Sequence, residues 1–270
     1  MRAGQLGKPI ARGRTAEIFA WGDGQVLKLF HNWFDRDSIE YEQRIARAIS
    51  AAGIPAPAAG EILQVNGRDG LVYERVDGLS MWDVLARQPQ RFLPLARLLA
   101  SLHAGMHAGP AAADLPSQRS RLEHKLRGAR PLPEPLRETL SKALADLPEG
   151  DRICHGDFHP GNVLVGPERT VIIDWIDATR GSPLADVART TVIALGAAAS
   201  SQVPDRLRKI LVRLFHSIYL DHYFRLCPGG RSEYRRWLPI MAGARLSEEI
   251  PEVESWLLTE AQKGNSAGRI

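Results

Sequence analysis

The 270-residue sequence predicts an α+β fold in two lobes. A strand-rich first lobe covers residues 1–76, and a mostly helical second lobe covers 77–270. Three observations predict this. Short alternating apolar segments broken by glycine turns fill most of the first 76 residues, the pattern of an antiparallel sheet. Asp77-Gly78 then marks a change of character. Beyond it Leu95, Leu98, Leu99, Leu102 and Met106 form an apolar stripe with a period near 3.6 residues, which is helical. A junction between lobes of this kind is expected to leave a ligand-binding cleft.

The elements follow in order. Ile10–Arg12 and Thr15–Trp21 flank a turn at Gly13-Arg14, and Gly22-Asp23-Gly24 leads into Gln25–Phe30, giving a small meander. A helix is expected from Asp37 to Ala51, capped by Asp37 with Glu40 as its capping-box partner and ended by Gly53 and Pro55. Strands Glu61–Asn66 and Leu71–Val76 are split by the Gly67/Gly70 turn. Residues 131–150 read as a loop plus a short helix, and a β island covers Ile153–Ile173. Helices return from Leu184, with a break at Pro228-Gly229-Gly230. Residues 264–270 are expected to fray.

Composition excludes several classes. Hydrophobic residues make up 44% and charged residues 24%, ordinary for a globular chain. No run of eighteen apolar residues exists, so no membrane span is expected, and the first residues lack the apolar core of a signal peptide. Cys154 and Cys227 are too few for a disulfide scaffold and fit a reducing cytoplasm. The net charge of +4 is dispersed. The densest basic run, Arg119–Arg130, carries no interleaved aromatics to stack bases and reads as a solvated helix face, so no nucleic-acid partner is expected.

The chemistry concentrates in His155-Gly-Asp-Phe-His-Pro-Gly-Asn162 and Val171-Ile-Ile-Asp174-Trp. Two carboxylates and an amide suit a hard divalent ion that also holds phosphates, and a carboxylate left free of metal can accept a hydroxyl proton. Together they form the equipment of phosphoryl transfer. Lys28 shares a strand face with Val26 and Phe30, where it costs desolvation unless an anion meets it. Both Glu40 and Glu42 qualify by position. Glu42 lies on the apolar stripe with Ile39, Ile45, Ala46 and Ile49, whereas Glu40 aligns with Arg44 and Arg47, so Glu42 is chosen. His103 and His107 are four apart on a helix, but Ala104 stands where a zinc protease needs glutamate, so they are expected in the core or at the surface.

The order Asp157, Asn162, Asp174, in the form His-Gly-Asp-x-His-Pro-Gly-Asn followed by Ile-Asp-Trp, resembles the aminoglycoside phosphotransferase and choline kinase branch of the protein-kinase-like fold. The resemblance extends over nearly the whole chain. It implies a bilobal fold with an antiparallel sheet and one main helix in the first lobe. It also implies ATP and Mg²⁺ as cofactors and a small-molecule hydroxyl as acceptor. Asp157 becomes the catalytic base or the group that orients the hydroxyl. Asn162 and Asp174 become the metal ligands, and Lys28, paired with Glu42, contacts the phosphates. His155 and His159 support the loop. Thr15, in a nucleotide loop poor in glycine, becomes a phosphate contact. Glu74 C=O and Val76 N–H become the adenine partners, with Tyr73 behind the base.

Ser182-Pro-Leu-Ala-Asp186-Val-Ala188 resembles the family segment in which Asp186 caps a helix and braces the loop. Only twelve positions separate Asp174 from Asp186, too few for the activation segment of a regulated protein kinase. Asp177, Glu248, Glu249 and Glu252 are candidate substrate contacts, with Asp221 a further acid. These carboxylates favour an aminoglycoside-type antibiotic as acceptor, while a macrolide, choline or a homoserine-like alcohol stays open. A non-catalytic nucleotide-binding protein is disfavoured because Lys28, Glu42, Asp157, Asn162 and Asp174 are all intact. Oligomeric state is open.

Overall fold

The structure, a computed structural model, describes residues 6–111, 114–200 and 205–265, the last without its side chain. In chain order the elements are β1 (Ala11–Arg12), β2 (Ala16–Trp21), β3 (Gln25–Phe30), α1 (Arg36–Ala51), β4 (Ala59–Val65), β5 (Arg68–Glu74) and β6 (Leu79–Ser80). There follow α2 (Met81–Arg87), α3 (Phe92–Met106), α4 (Gln118–Gly128), α5 (Glu134–Ala145), β7 (Arg152–Cys154), β8 (Val163–Val165), β9 (Thr170–Ile172) and β10 (Thr179–Gly181). The chain ends in α6 (Pro183–Ala199), α7 (Arg206–Leu226), α8 (Arg231–Arg245) and α9 (Pro251–Gln262). Two compact units emerge, one running up to Asp83 and including Gly161–Ile176, the other formed by Val84–Pro160 and the chain from Asp177 onward. The first unit therefore takes in a segment well beyond Val76.

In the first unit a sheet of order β1-β2-β3-β5-β4 is antiparallel throughout. Period-two alternation sorts its side chains. Phe19, Leu27, Leu29, Val65 and Val72 pack on one face, and Ala16, Phe30 and Leu71 pack with Ile39 of α1 on the other. Lys28 lies between Leu27 and Leu29 in sequence and so points to the α1 side with Phe30, its ammonium 5.3 Å from that ring's centre. Helix α1 buries Ile39, Glu42, Ile45, Ala46 and Ile49, the stripe expected from sequence. Burying an isoleucine such as Ile39 contributes about 2 kcal/mol.

The α1 start differs from expectation. Asp35, not Asp37, is the cap: its carboxylate accepts from Ser38 N at 2.8 Å, and Asp37 falls inside the first turn. The carboxylate two residues earlier has the extended backbone a cap requires. Glu40 is not a capping-box partner, because it pairs with Arg36 one turn back. At the other end Gly53 takes φ +74°, which ends the helix before Pro55. A second small sheet, β6-β8-β9, carries the chain from Asn162 to Ile172.

The second unit is helical apart from the β7–β10 pair. The 131–150 segment forms α5 as expected, and α7 ends before Pro228-Gly229-Gly230, where Gly229 and Gly230 both adopt positive φ. Asp186 is not the cap of α6. Ser182 holds that position, and Asp186 lies in the first turn. The basic run Arg119–Arg130 is a solvated face only in part, at Arg127 and Arg130. Arg119 donates to the carbonyls of Leu144 and Leu147, and Arg121 and Lys125 turn toward carboxylates. Residues 266–270, where fraying was expected, lie outside the described residues.

Candidate active site

The cluster around Lys28 is assembled within the first unit. Lys28 donates to both Glu42 oxygens, at 2.8 and 3.0 Å, and its ammonium is 3.9 Å from Asp174 Oδ1. Glu42 is 4% exposed, so an unpaired charge there would be costly. Tyr73 supplies its second partner, donating to Oε1 at 2.8 Å. Burial first, then the Glu42 charge, pushes the Tyr73 phenol well above its ordinary value, so it stays a donor. The Tyr73 hydroxyl therefore serves the Lys28–Glu42 pair, a role that sequence reading missed.

Asn162 closes a 3₁₀ turn, Pro160–Asn162, and is buried. Its carbonyl accepts from Ile173 N at 2.9 Å, which ties the turn to the segment that delivers Asp174. Asp174 takes φ +65°, a left-handed conformation that non-glycine residues seldom adopt and that Asp and Asn tolerate best. Such strain clusters at functional positions. Its carboxylate is 48% exposed and open to a ligand. Amide and carboxylate oxygens are the donor chemistry a hard divalent ion takes, so the pair fits Mg²⁺. Thr15 follows the β1–β2 turn, its carbonyl accepting from His31 N at 2.9 Å. Glu74 ends β5, and its side chain is held by Arg169 and Ala58 N, while Val76 lies past the strand.

Asp157 belongs to the second unit. His159 Nε2 lies 3.6 Å and Arg189 Nη2 3.5 Å from its oxygens, and its N–H donates to His155 Nδ1 at 3.2 Å. Burial works to raise the Asp157 pKa, but the His159 hydrogen bond and the Arg189 charge outweigh it. The carboxyl is held below the usual carboxylate range. It is an anion at neutral pH, suited to accepting a hydrogen bond from a hydroxyl.

The loop carrying Asp157 hangs on Asp186. Its Oδ2 accepts from His155 N at 2.6 Å and its Oδ1 from Gly156 N at 2.8 Å. His103 and His107 Nε2 are 3.1 and 3.3 Å from the same Oδ2. A carboxylate only accepts, so both Nε2 atoms carry protons. Each Nδ1 then accepts from a tyrosine hydroxyl, Tyr219 at 2.7 Å and Tyr223 at 2.8 Å. Although these three side chains converge closely enough for a metal, every ring nitrogen is already engaged, and the expectation of core histidines holds. Burial tends to raise the Asp186 pKa, but the two imidazole donors hold it well below the carboxylate range. Gly156 is required here. It has φ +80°, and a Cβ would sit 2.4 Å from Asp177 O.

Arg189 was not anticipated. It is buried, donates to Gly156 O at 2.9 Å and meets Glu248 at 2.6 Å. Burial lowers its pKa, but the charges of Glu248, Asp157 and Asp177 raise it further, so it is a permanent cation. The signal was present in the sequence: an arginine three residues after Asp186 shares its helix face, amid Val187, Ala188 and Val192. Of the acids considered for substrate, Asp177 pairs with Arg121 at 3.1 Å and Lys125 at 3.8 Å. Glu248 meets Arg189, Lys125 and Arg245, and Glu249 meets Arg130 at 3.6 Å. Glu252 lies in the first turn of α9, and Asp221 pairs with exposed Arg231.

Buried histidines give the fold a pH response. Burial pushes His103 and His216 down to about 4. Unfolded, each titrates near 6.5, so the folded state binds fewer protons between those values. Stability is complete above pH ~6.5 and is lost as pH falls toward about 4, by roughly 3 kcal/mol per histidine. The melting temperature should be flat above neutrality and fall steeply through that window. A melting temperature constant down to pH ~5 would contradict it.

A lysine of an antiparallel sheet paired with a glutamate of the adjoining helix, the Asp157, Asn162, Asp174 order along the chain, and a helical unit that braces Asp157 fit a small-molecule kinase of protein-kinase-like fold. The chain belongs to the APH phosphotransferase enzyme family, whose sequence profile matches residues 7–228. No curated protein matches it in sequence. Solved structures share the fold. The aminoglycoside phosphotransferase APH(4)-Ia, a thermostable mutant with ADP and hygromycin B, is 16% identical with a TM-score of 0.64, covering 98% of this chain and 95% of its own. Amicoumacin kinase hAmiN, with AMP-PNP, Ca²⁺ and Ami, is 15% identical with a TM-score of 0.61, covering 97% and 88%. A choline/ethanolamine kinase family protein from Mesorhizobium loti is 18% identical with a TM-score of 0.57, covering 99% and 89%. Among the described residues no helix is long and apolar enough to cross a membrane.

Proposed function

We propose that the protein transfers the γ-phosphate of ATP, with Mg²⁺, to the hydroxyl of a small molecule. The observation that carries this is Lys28, fixed by buried Glu42 and turned toward Asp174. A lysine held in this way is ready to meet phosphate oxygens at little reorganisation cost. In this reading residues up to Val76 form the nucleotide-binding lobe and residues from Asp77 onward the catalytic and acceptor lobe. Thr15 contacts phosphate, and the main chain of Glu74 and Val76 takes the adenine. Asn162 and Asp174 hold the metal, which when bound offsets phosphate charge. Asp157 aligns the acceptor hydroxyl and receives its proton as the new bond forms.

An aminoglycoside-type acceptor would draw on Asp177, Glu248, Glu249 and Glu252. The cations that already meet Asp177, Glu248 and Glu249 reduce what they can offer a polycation.

Thermal stabilisation tests the nucleotide half. Saturating Mg²⁺-ATP should raise the melting temperature by about 5–10 °C. Asp174→Asn, which keeps the left-handed backbone tolerable, should leave the apo melting temperature in place and remove the Mg²⁺-dependent part of the rise. Full stabilisation in that variant would remove Asp174 from the metal site.

A further inference from the structure

A depression in the second unit is lined by Arg121, Lys125, Gly156, Asp177, Asp186 and Arg189, among others. It adjoins Asp157, since Gly156 forms part of its wall and Arg189 reaches the Asp157 carboxylate. The charge around it is positive. Among its lining residues Arg121, Lys125 and Arg189 stand against Asp177 and Asp186, a surplus of one cation. Asp157 is committed to the acceptor hydroxyl, and Asp186 to the backbone and imidazole donors described above.

Hydrogen-bond donors are also in surplus. Arg245 Nε and Nη1 are buried without a hydrogen-bond partner among the described residues, and Nε lies 3.6 Å from Glu248. Burial, then the repulsion of Arg189, pushes Arg245 down to about 10, against the opposing pull of Glu248 and Asp157. Lys125 is held loosely, 3.4 Å from Glu248 and 3.8 Å from Asp177. Arg121 and Lys125 side chains keep 25% and 23% of their surface, so a ligand can reach both.

We infer that the acceptor carries an anionic group, a carboxylate or a phosphate, beside the hydroxyl it presents to Asp157, and that Arg121 and Lys125 hold that anion. This rests on the phosphotransferase reading above and narrows its substrate class. A guanidinium and an ammonium on one helix face match the two or three oxygens of such a group, and a polycation would meet the positive surplus instead. In the reaction the acceptor oxygen bonds to the γ-phosphorus and the bond from that phosphorus to the β-bridging oxygen breaks. ADP keeps that electron pair and the hydroxyl proton passes to Asp157. The product is a phosphate monoester that retains its original anion.

The test measures binding by calorimetry to the full chain saturated with Mg²⁺-AMP-PNP, so that anions cannot enter the nucleotide site. The probes are inorganic phosphate, glycerate and glycerol 3-phosphate, with neutral glycerol, 3-amino-1,2-propanediol and hygromycin B as contrasts. The anions should bind with a salt-dependent Kd, and Arg121→Gln and Lys125→Gln should each weaken them roughly tenfold. Glycerate against glycerol 3-phosphate separates carboxylate from phosphate. The inference is overturned if no anion binds, if glycerol or the amines bind as tightly, or if both variants bind anions like wild type. Its failure is distinct from failure of the phosphotransferase reading, which is decided by Asp157-dependent transfer from ATP to any acceptor.

Discussion

Asp157→Ala is expected to lower kcat for phosphate transfer by about a thousandfold, near 4 kcal/mol of barrier, with little change in the KM for ATP. Lys28, Glu42, Asn162 and Asp174, the groups proposed above to serve the nucleotide and its metal, all belong to the other compact unit. Folding should tolerate the change, because Arg189 keeps its 2.6 Å partner Glu248 and its bond to Gly156 O. The depressed Asp157 pKa bears on its role. A carboxylate this weakly basic takes a proton late, when the hydroxyl oxygen is already bonding to phosphorus, and a loose phosphoryl-transfer transition state asks for little more. Asp157→Asn should therefore recover part of the activity lost in Asp157→Ala, through orientation alone. Single-turnover transfer from labelled ATP across a panel of hydroxylated acceptors checks both variants. Equal turnover by wild type and Asp157→Ala on every acceptor would remove Asp157 from the chemistry.

What the sequence made legible was local. Period-two alternation placed Lys28 on the α1 face, and helical spacing chose Glu42 over Glu40, because both periodicities are fixed by backbone geometry. The Asp157, Asn162, Asp174 order was readable because these groups sit on one short stretch of chain. What escaped was set by long-range packing. Tyr73, on β5, meets Glu42 of α1. Arg121 and Lys125, which look solvated on α4, find Asp177 and Glu248 at 56 and 123 positions' distance. Single-sequence patterns cannot tell a solvated cation from one paired with a remote acid. The acids at Asp177, Glu248 and Glu249 were therefore read without the cations that meet them. The cap at Asp35 was missed for a smaller reason: Asp35 and Asp37 have the same chemistry, and only the backbone angle at Asp35 distinguishes them.

Asp186→Ala is the substitution expected to cost the fold most. Removing this carboxylate strands four buried donors, His155 N, Gly156 N and the Nε2 groups of His103 and His107. Taking one partner from a buried, charge-assisted network costs about 3–5 kcal/mol. For a chain of this size the melting temperature should fall by roughly 10 °C. Activity should fall as well, because the amides of His155 and Gly156 orient the peptide that leads into Asp157. That loss should appear mainly in kcat, with the Mg²⁺-ATP stabilisation preserved. Asp186→Asn separates the two effects. It keeps one acceptor oxygen but presents an amide to donors, so it should be intermediate in stability and still poor in kcat. A melting temperature within about 2 °C of wild type, with wild-type kcat, would show that the loop carrying Asp157 does not depend on the brace.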